Sequence, residues 1–156
     1  MDIATLGELV MTGFRKLGFI RYAGIEGVEF AEGRNVVGMT PGPEHLNHNG
    51  DVHAAVLFGL AETAAMGAAV SGIAAHMAES FVVARDGRIE YLARAKGAAG
   101  PFLAHAELPG GILETMRAEA AARRPVEFTV PVRITGRDET AVATATFTAV
   151  IRPKRS

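Results

Sequence analysis

Residues 47–77 read NHNGDVHAAVLFGLAETAAMGAAVSGIAAHM, and the reading of this stretch decides the fold. A polar, turn-forming lead (Asn47, His48, Asn49, Gly50, Asp51) gives way at His53 to an alanine-rich apolar run. The run has no proline and few β-branched residues, so a helix is expected over residues 53–75. Apolar residues occupy nearly every face, which marks a helix wrapped by other elements rather than a surface helix. Between Asp51 and Glu79 the only fully charged side chain is Glu62. A carboxylate in such a place costs on the order of several kcal/mol of desolvation unless it is paired, hydrogen-bonded or protonated. Glu62 is therefore the most informative residue in the chain. Two plainer readings compete. A membrane span needs about 20 apolar residues, but here Ala and Gly supply the apolarity and no basic or aromatic flanks mark an interface. A structural Glu62, tied to a backbone amide or a basic residue, is the other.

Composition bounds the rest. The chain has 156 residues, which suits one domain and not comfortably two. A formal net charge of −1 gives no basic field for nucleic acid or an anionic membrane. The absence of cysteine excludes disulfides, thiolate metal sites and a cysteine nucleophile, and fits a reducing compartment. The N-terminal MDIATLGELVMTGF lacks the basic start of a secretory signal, so a cytoplasmic location is expected.

Outward from the central helix, Ile3, Leu6, Leu9, Val10, Phe14 and Leu17 recur at helical spacing. They predict an N-terminal helix within residues 1–18, with Asp2 as N-cap and Gly18 as stop. Ile25–Phe30 and Asn35–Met39 predict a hairpin turning at Glu32-Gly33. Thr40-Pro41-Gly42-Pro43 breaks the pattern before the long helix. Beyond the helix, Phe81–Ala84 and Arg88–Leu92 read as one interrupted strand or two, and Phe102–Glu107 as another. A helical insertion is expected at 110–124, then a strand pair, Glu127–Thr135 and Thr140–Arg152. In the last strand Ala143, Ala145, Phe147, Ala149 and Ile151 share a face small and apolar enough to pack on an alanine-rich helix. The plan is α+β: a single domain, 1–156, with one curved antiparallel sheet wrapped around one long central helix. One sheet cannot cover a helix that is apolar all round, so a homodimer or a dimer of dimers is expected.

Asn47, His53 six positions on and Glu62 nine beyond that resemble the signature of hotdog-fold acyl-CoA thioesterases, particularly the phenylacetate-degradation type. Leu60-Ala61-Glu62-Thr63 is similar to that group's Leu-Ala-(Asp/Glu)-Thr, and Ile89–Gly97 to the strand and turn after its helix. The likeness runs from about residue 20 to the end of the chain. Three features depart from it, and together they look closer to an uncharacterised hotdog subgroup. Ala54-Ala55 stands where the family has a glycine pair, Met66 where a hydroxyl residue is usual, and Ala93-Arg94 where Arg-Pro is usual.

The resemblance implies hydrolysis of an acyl thioester, with coenzyme A present as part of the substrate and neither cofactor nor metal. Glu62 would act as general base or nucleophile, its reactivity sharpened by burial. The amides of Ala54 and Ala55 at the helix N-terminus would polarise the carbonyl. Asn47 would donate to that carbonyl or hold the water, and His53 would hydrogen-bond the thioester or cap the helix. Thr63 and Met66 would meet the substrate, and Arg94 and Lys96, with Arg123 or Arg124, the coenzyme A phosphates. His45, His76 and His105 lack metal-ligand spacing and read as surface or structural residues.

Geometry adds a point of its own. Nine residues of helix separate His53 from Glu62 by about 13 Å. The carboxylate and the N-terminal amides therefore converge only across a two-fold axis, on sites shared between subunits. Two alternatives stay open: a hotdog dehydratase or hydratase of 3-hydroxyacyl thioesters, pairing His48 with Glu62, and a non-catalytic acyl-CoA-binding dimer.

Overall fold

The computed structural model of the protein describes residues 2–155; Met1 and Ser156, the ends of the expected domain, lie outside the described residues. Asp2 accepts a hydrogen bond from the Thr5 amide at 3.0 Å and opens helix α1, Ile3–Phe14. The chain turns at Arg15, and Leu17 is extended, so Gly18 does not stop a helix but starts a second one, α2, Gly18–Ala23. The true stop is Gly24, held at φ +61°, a conformation that costs glycine little. The expected N-terminal helix is α1, and α2 is a second helix that follows it.

Strands β1 (Ile25–Ala31) and β2 (Arg34–Met39) form the expected hairpin, with Gly33 at φ +73° in its turn. Helix α3 runs Ala54–Gly72. It ends three residues before the expected Ala75, and Ala74–Glu79 continues as a tighter 3-10 helix. The end is fixed by tertiary bonds. Ser71 Oγ accepts from the Gly33 amide at 2.9 Å, and Arg117 Nε donates to the Gly72 carbonyl at 3.3 Å.

Strand β3 is continuous over Ser80–Tyr91, with a bulge between Ala84 and Asp86 that accounts for the interruption in its pattern. Strand β4 is Phe102–Glu107, helix α4 is Ile112–Ala121, and β5 (Val126–Thr135) and β6 (Ala141–Pro153) complete the chain. All neighbours pair antiparallel in the order β1-β2-β4-β5-β6-β3, leaving β1 and β3 as edges.

Helix α3 touches all six strands. It is long and apolar enough to cross a membrane by length and composition, yet most of it is buried inside the sheet. Its Leu60, Ala61, Ala64, Ala65, Ala68 and Ala69 are fully buried, as are Ala143 and Ala149 of the expected β6 face. Alanines on both sides let helix and sheet approach closely. The tightest point is Gly67, where an added Cβ would lie 2.0 Å from Asn35 Nδ2. Asn35 is itself buried and donates to the Ala64 carbonyl at 3.1 Å. Alanine is the better helix former by about 1 kcal/mol, but overpacking of a fixed core typically costs about 1–3 kcal/mol. Gly67→Ala is expected to lower stability for that reason, and urea unfolding checks it. A variant as stable as the parent would show that Asn35 has room to move.

One stripe of α3 is left open by the sheet. Ala55 is exposed, and Phe58, Gly59, Glu62, Met66 and Val70 are only partly buried, at the spacing of one helix face. The all-round burial expected from composition is therefore incomplete within one chain.

Candidate functional site

The polar lead into α3 is a closed loop. Asn47 N donates to the Asp51 carbonyl at 2.8 Å, and Gly50 N to the Asn47 carbonyl at 3.0 Å, with Gly50 at φ +75°. Inside the loop the Asn47 side-chain oxygen accepts from the amides of Asn49 (2.9 Å) and Asp51 (3.2 Å). Both lone pairs of that oxygen are spent. What Asn47 has left to offer is its NH2, a donor. Both roles expected for Asn47, donation to a carbonyl and holding a water, then fall to that NH2.

His53 is the N-cap of α3, and its Nδ1 accepts from the Ala55 amide at 3.1 Å. Capping is therefore the role the structure shows for His53, with Nε2 carrying the proton in this tautomer. The same bond corrects the expectation for Ala55, whose amide is already engaged. Val56 N and Leu57 N both donate to the His53 carbonyl, at 2.9 and 3.2 Å. Of the four amides that a helix start leaves without an intrahelical partner, those of His53 (to the His45 carbonyl at 2.8 Å), Ala55 and Val56 are satisfied here. Only Ala54 N–H is without a partner among the described residues.

Tyr91 was not singled out from the sequence. Its hydroxyl donates to the Ala54 carbonyl at 2.9 Å, fixing the other end of the residue whose N–H is free. Burial pushes the Tyr91 phenol up, so it stays a protonated donor in neutral solution. Nothing in a local pattern announces a contact across 37 residues.

Glu62 lies on the open stripe, partly buried. Loss of water alone pushes its carboxyl above the ordinary value of 4.5; no neighbouring charge or hydrogen bond contributes. A purely structural Glu62 needs an amide or a basic partner, and none is present among the described residues. Met66 sits one turn further along the same stripe. Thr63 lies at the edge of that stripe. It is buried, and its hydroxyl donates to the Gly59 carbonyl at 2.8 Å, so its one O–H is not offered to a substrate.

Arg94 is engaged within the chain. Its Nε donates to Asp51 Oδ2 at 2.9 Å and its Nη2 to the Asn49 carbonyl at 3.1 Å, so the guanidinium is held by the Asn47 loop. Lys96 is exposed, and its backbone pairs with Asp51 beside the same loop. Arg124 is tied to Glu119, and Arg123 to the Lys154 carbonyl, both away from this cluster. His45 is structural, as expected. It is buried, it takes the Gly42 amide on Nδ1 at 2.9 Å, and it meets the Tyr22 carbonyl through Nε2. His105 approaches Thr135 Oγ1 at 3.2 Å on the sheet, and burial beside Arg133 and Arg34 lowers its pKa.

One chain thus brings together the Asn47 loop, the free Ala54 amide, His53, Tyr91 and Arg94. Glu62 and Met66 stand apart. Eight residues separate Ala54 from Glu62, about 12 Å along the helix axis.

Solved structures share this architecture. A Pseudomonas aeruginosa protein of unknown function, described as a probable thioesterase, superposes with a TM-score of 0.79 at 21% identity, over 95% of this chain and 96% of its own. The E. coli PaaI protein from the phenylacetic acid degradation operon gives 0.72 at 18% identity, over 99% and 96%. A Streptococcus mutans protein bound to acetyl CoA gives 0.61 at 21% identity, over 85% and 91%. The fold is the hotdog fold, as the Asn47–His53–Glu62 pattern implied. No curated protein matches the sequence. The family model described as a domain of unknown function (DUF4442) matches residues 8–151, and the chain belongs to that family.

Proposed function

We propose that the protein is a thioester hydrolase acting on an acyl-CoA or a related acyl thioester, working as a homodimer with shared sites. The observation that carries this reading is Glu62, a partly buried carboxylate without a partner among the described residues, on the helix stripe the sheet leaves open. A group kept desolvated and unpaired costs stability and is poised for proton transfer or attack. The thioester carbonyl accepts from the Ala54 amide and the Asn47 NH2. As base, Glu62 takes a proton from water while the water oxygen adds to the carbonyl carbon. The C–S bond then breaks, and the thiolate leaves and takes up a proton. As nucleophile, the carboxylate oxygen makes that addition itself, and water hydrolyses the resulting anhydride.

Shared sites follow from the roughly 12 Å between Ala54 and Glu62, which an antiparallel second helix spans across a two-fold axis. Support for a dimer also comes from β3, an edge strand carrying exposed Phe81 and Val83. The acetyl CoA held by the Streptococcus mutans protein on the same fold supports a coenzyme A thioester as the ligand class.

The test is release of free thiol from a panel of acyl-CoAs. Hydrolysis releases it. A dehydratase or hydratase alters the acyl chain and keeps the thiol bound, and a non-catalytic binder does neither. No thiol release across short, long and aromatic acyl groups would overturn the reading.

A further inference from the structure

The residues that follow β3 close over the loop that carries Asn47. Val52 N donates to the Ala95 carbonyl at 2.8 Å and Gly97 N to the Gly50 carbonyl at 3.0 Å. Arg94 immediately precedes the first of these two ties. It bonds Asn49 and Asp51, the same two residues whose amides the Asn47 side chain holds from inside. The turn is therefore gripped on both sides, by a guanidinium outside and an amide carbonyl within. Asn47 is left with its NH2 as the one side-chain donor group, and any rotation of the turn re-aims it.

We infer that Arg94 and Asp51 form a clamp that positions the Asn47 amide, and that Arg94 is a positioning residue rather than a ligand of coenzyme A phosphates. This rests on the thioesterase reading for its catalytic meaning. An exposed ion pair by itself holds little. Asp51, however, has a side chain only 13% exposed, and its Oδ1 is buried with no partner, so Arg94 supplies its counter-charge. The grip also needs an arginine. One nitrogen reaches the carboxylate and another the Asn49 carbonyl, a fork that the single ammonium of lysine does not reproduce.

Two substrates separate positioning from phosphate binding. The same acyl group is presented on coenzyme A and on N-acetylcysteamine, which has no phosphates, to the full-length wild type, Arg94→Lys and Arg94→Gln. The clamp predicts that kcat falls about ten- to a hundredfold with both substrates, that KM for the coenzyme A thioester stays put, and that lysine fails to rescue. A rise in KM confined to the coenzyme A thioester and rescued by lysine would show a phosphate ligand instead. Unchanged kinetics with both would also overturn the clamp. Hydrogen exchange reads it without turnover: in Arg94→Gln the amides of Asn49 and Asp51 should exchange about tenfold faster as the turn opens locally, with α3 unchanged as the control for folding. A wild type that hydrolyses no thioester sinks the thioesterase reading, and exchange still decides the clamp; unchanged protection at Asn49 and Asp51 overturns it.

Discussion

Glu62→Gln is expected to lower kcat by about 10²–10⁴ while leaving binding of the acyl thioester largely intact. The amide keeps the shape of the side chain and can serve neither as base nor as nucleophile. Retention of more than about a tenth of kcat rejects a catalytic Glu62, given the size of typical acid–base contributions. Stability gives an independent reading. Burial raises the Glu62 pKa in the folded chain above its ordinary 4.5. The folded state therefore binds this proton more tightly than the unfolded one, and stability falls as pH rises from the unfolded pKa through the folded one. Below that window both states are protonated and Gln and Glu are equivalent; above it the wild type carries a desolvated charge that the variant lacks. The variant should melt no lower than wild type near neutral pH, and any advantage should vanish on acidification below about pH 4. A much lower Tm at neutral pH would point to a structural Glu62. In the wild type, kcat/KM should rise with pH through an apparent pKa above the normal carboxylate range, since the ionised form acts.

The sheet and its central helix were legible because both rest on periodicity. The alternation in β6 named one buried face, and a helix apolar all round announced that one side would be left open by a single sheet. The site was legible only as far as one chain segment determines it. Thr63 reads as a substrate contact because it lies at the edge of the open stripe, between Gly59 and Val70, but its hydroxyl turns back onto the Gly59 carbonyl, a choice of rotamer that no sequence pattern shows. The Ala55 amide was offered as a free donor, but a cap at His53 decides which of the first amides are left, and capping depends on a rotamer. Arg94 and Tyr91 were opaque for a different reason. Their partners lie 43 and 37 residues away, brought near only when β3 ends beside the start of α3. The α2 helix escaped because Gly18 reads as a helix stop, whereas the chain breaks at the extended Leu17 and Gly18 opens a new helix.

Mixing two inactive variants should restore activity if the site is shared. Asn47→Asp is the better partner for Glu62→Gln than an alanine would be. A carboxylate can still accept from the amides of Asn49 and Asp51 and so hold the loop, yet it has no N–H to offer the thioester oxygen. In a mixed dimer one site collects both lesions and the other collects neither. Random exchange of equal amounts makes about half of the dimers mixed, each with one intact site, so about a quarter of wild-type activity should return if the lesions are independent. Were Asn47 and Glu62 of the same chain to act together, every site would keep a lesion and nothing would return. The separation of about 12 Å along α3 makes that second outcome the harder one to reconcile with the helix. Subunit exchange is checked by mass spectrometry of tagged chains, and each variant must be inactive alone. With those controls met, the absence of recovery would mean that Glu62 and the Asn47 loop do not meet across the two-fold axis, and that the carboxylate works with other donors or not at all.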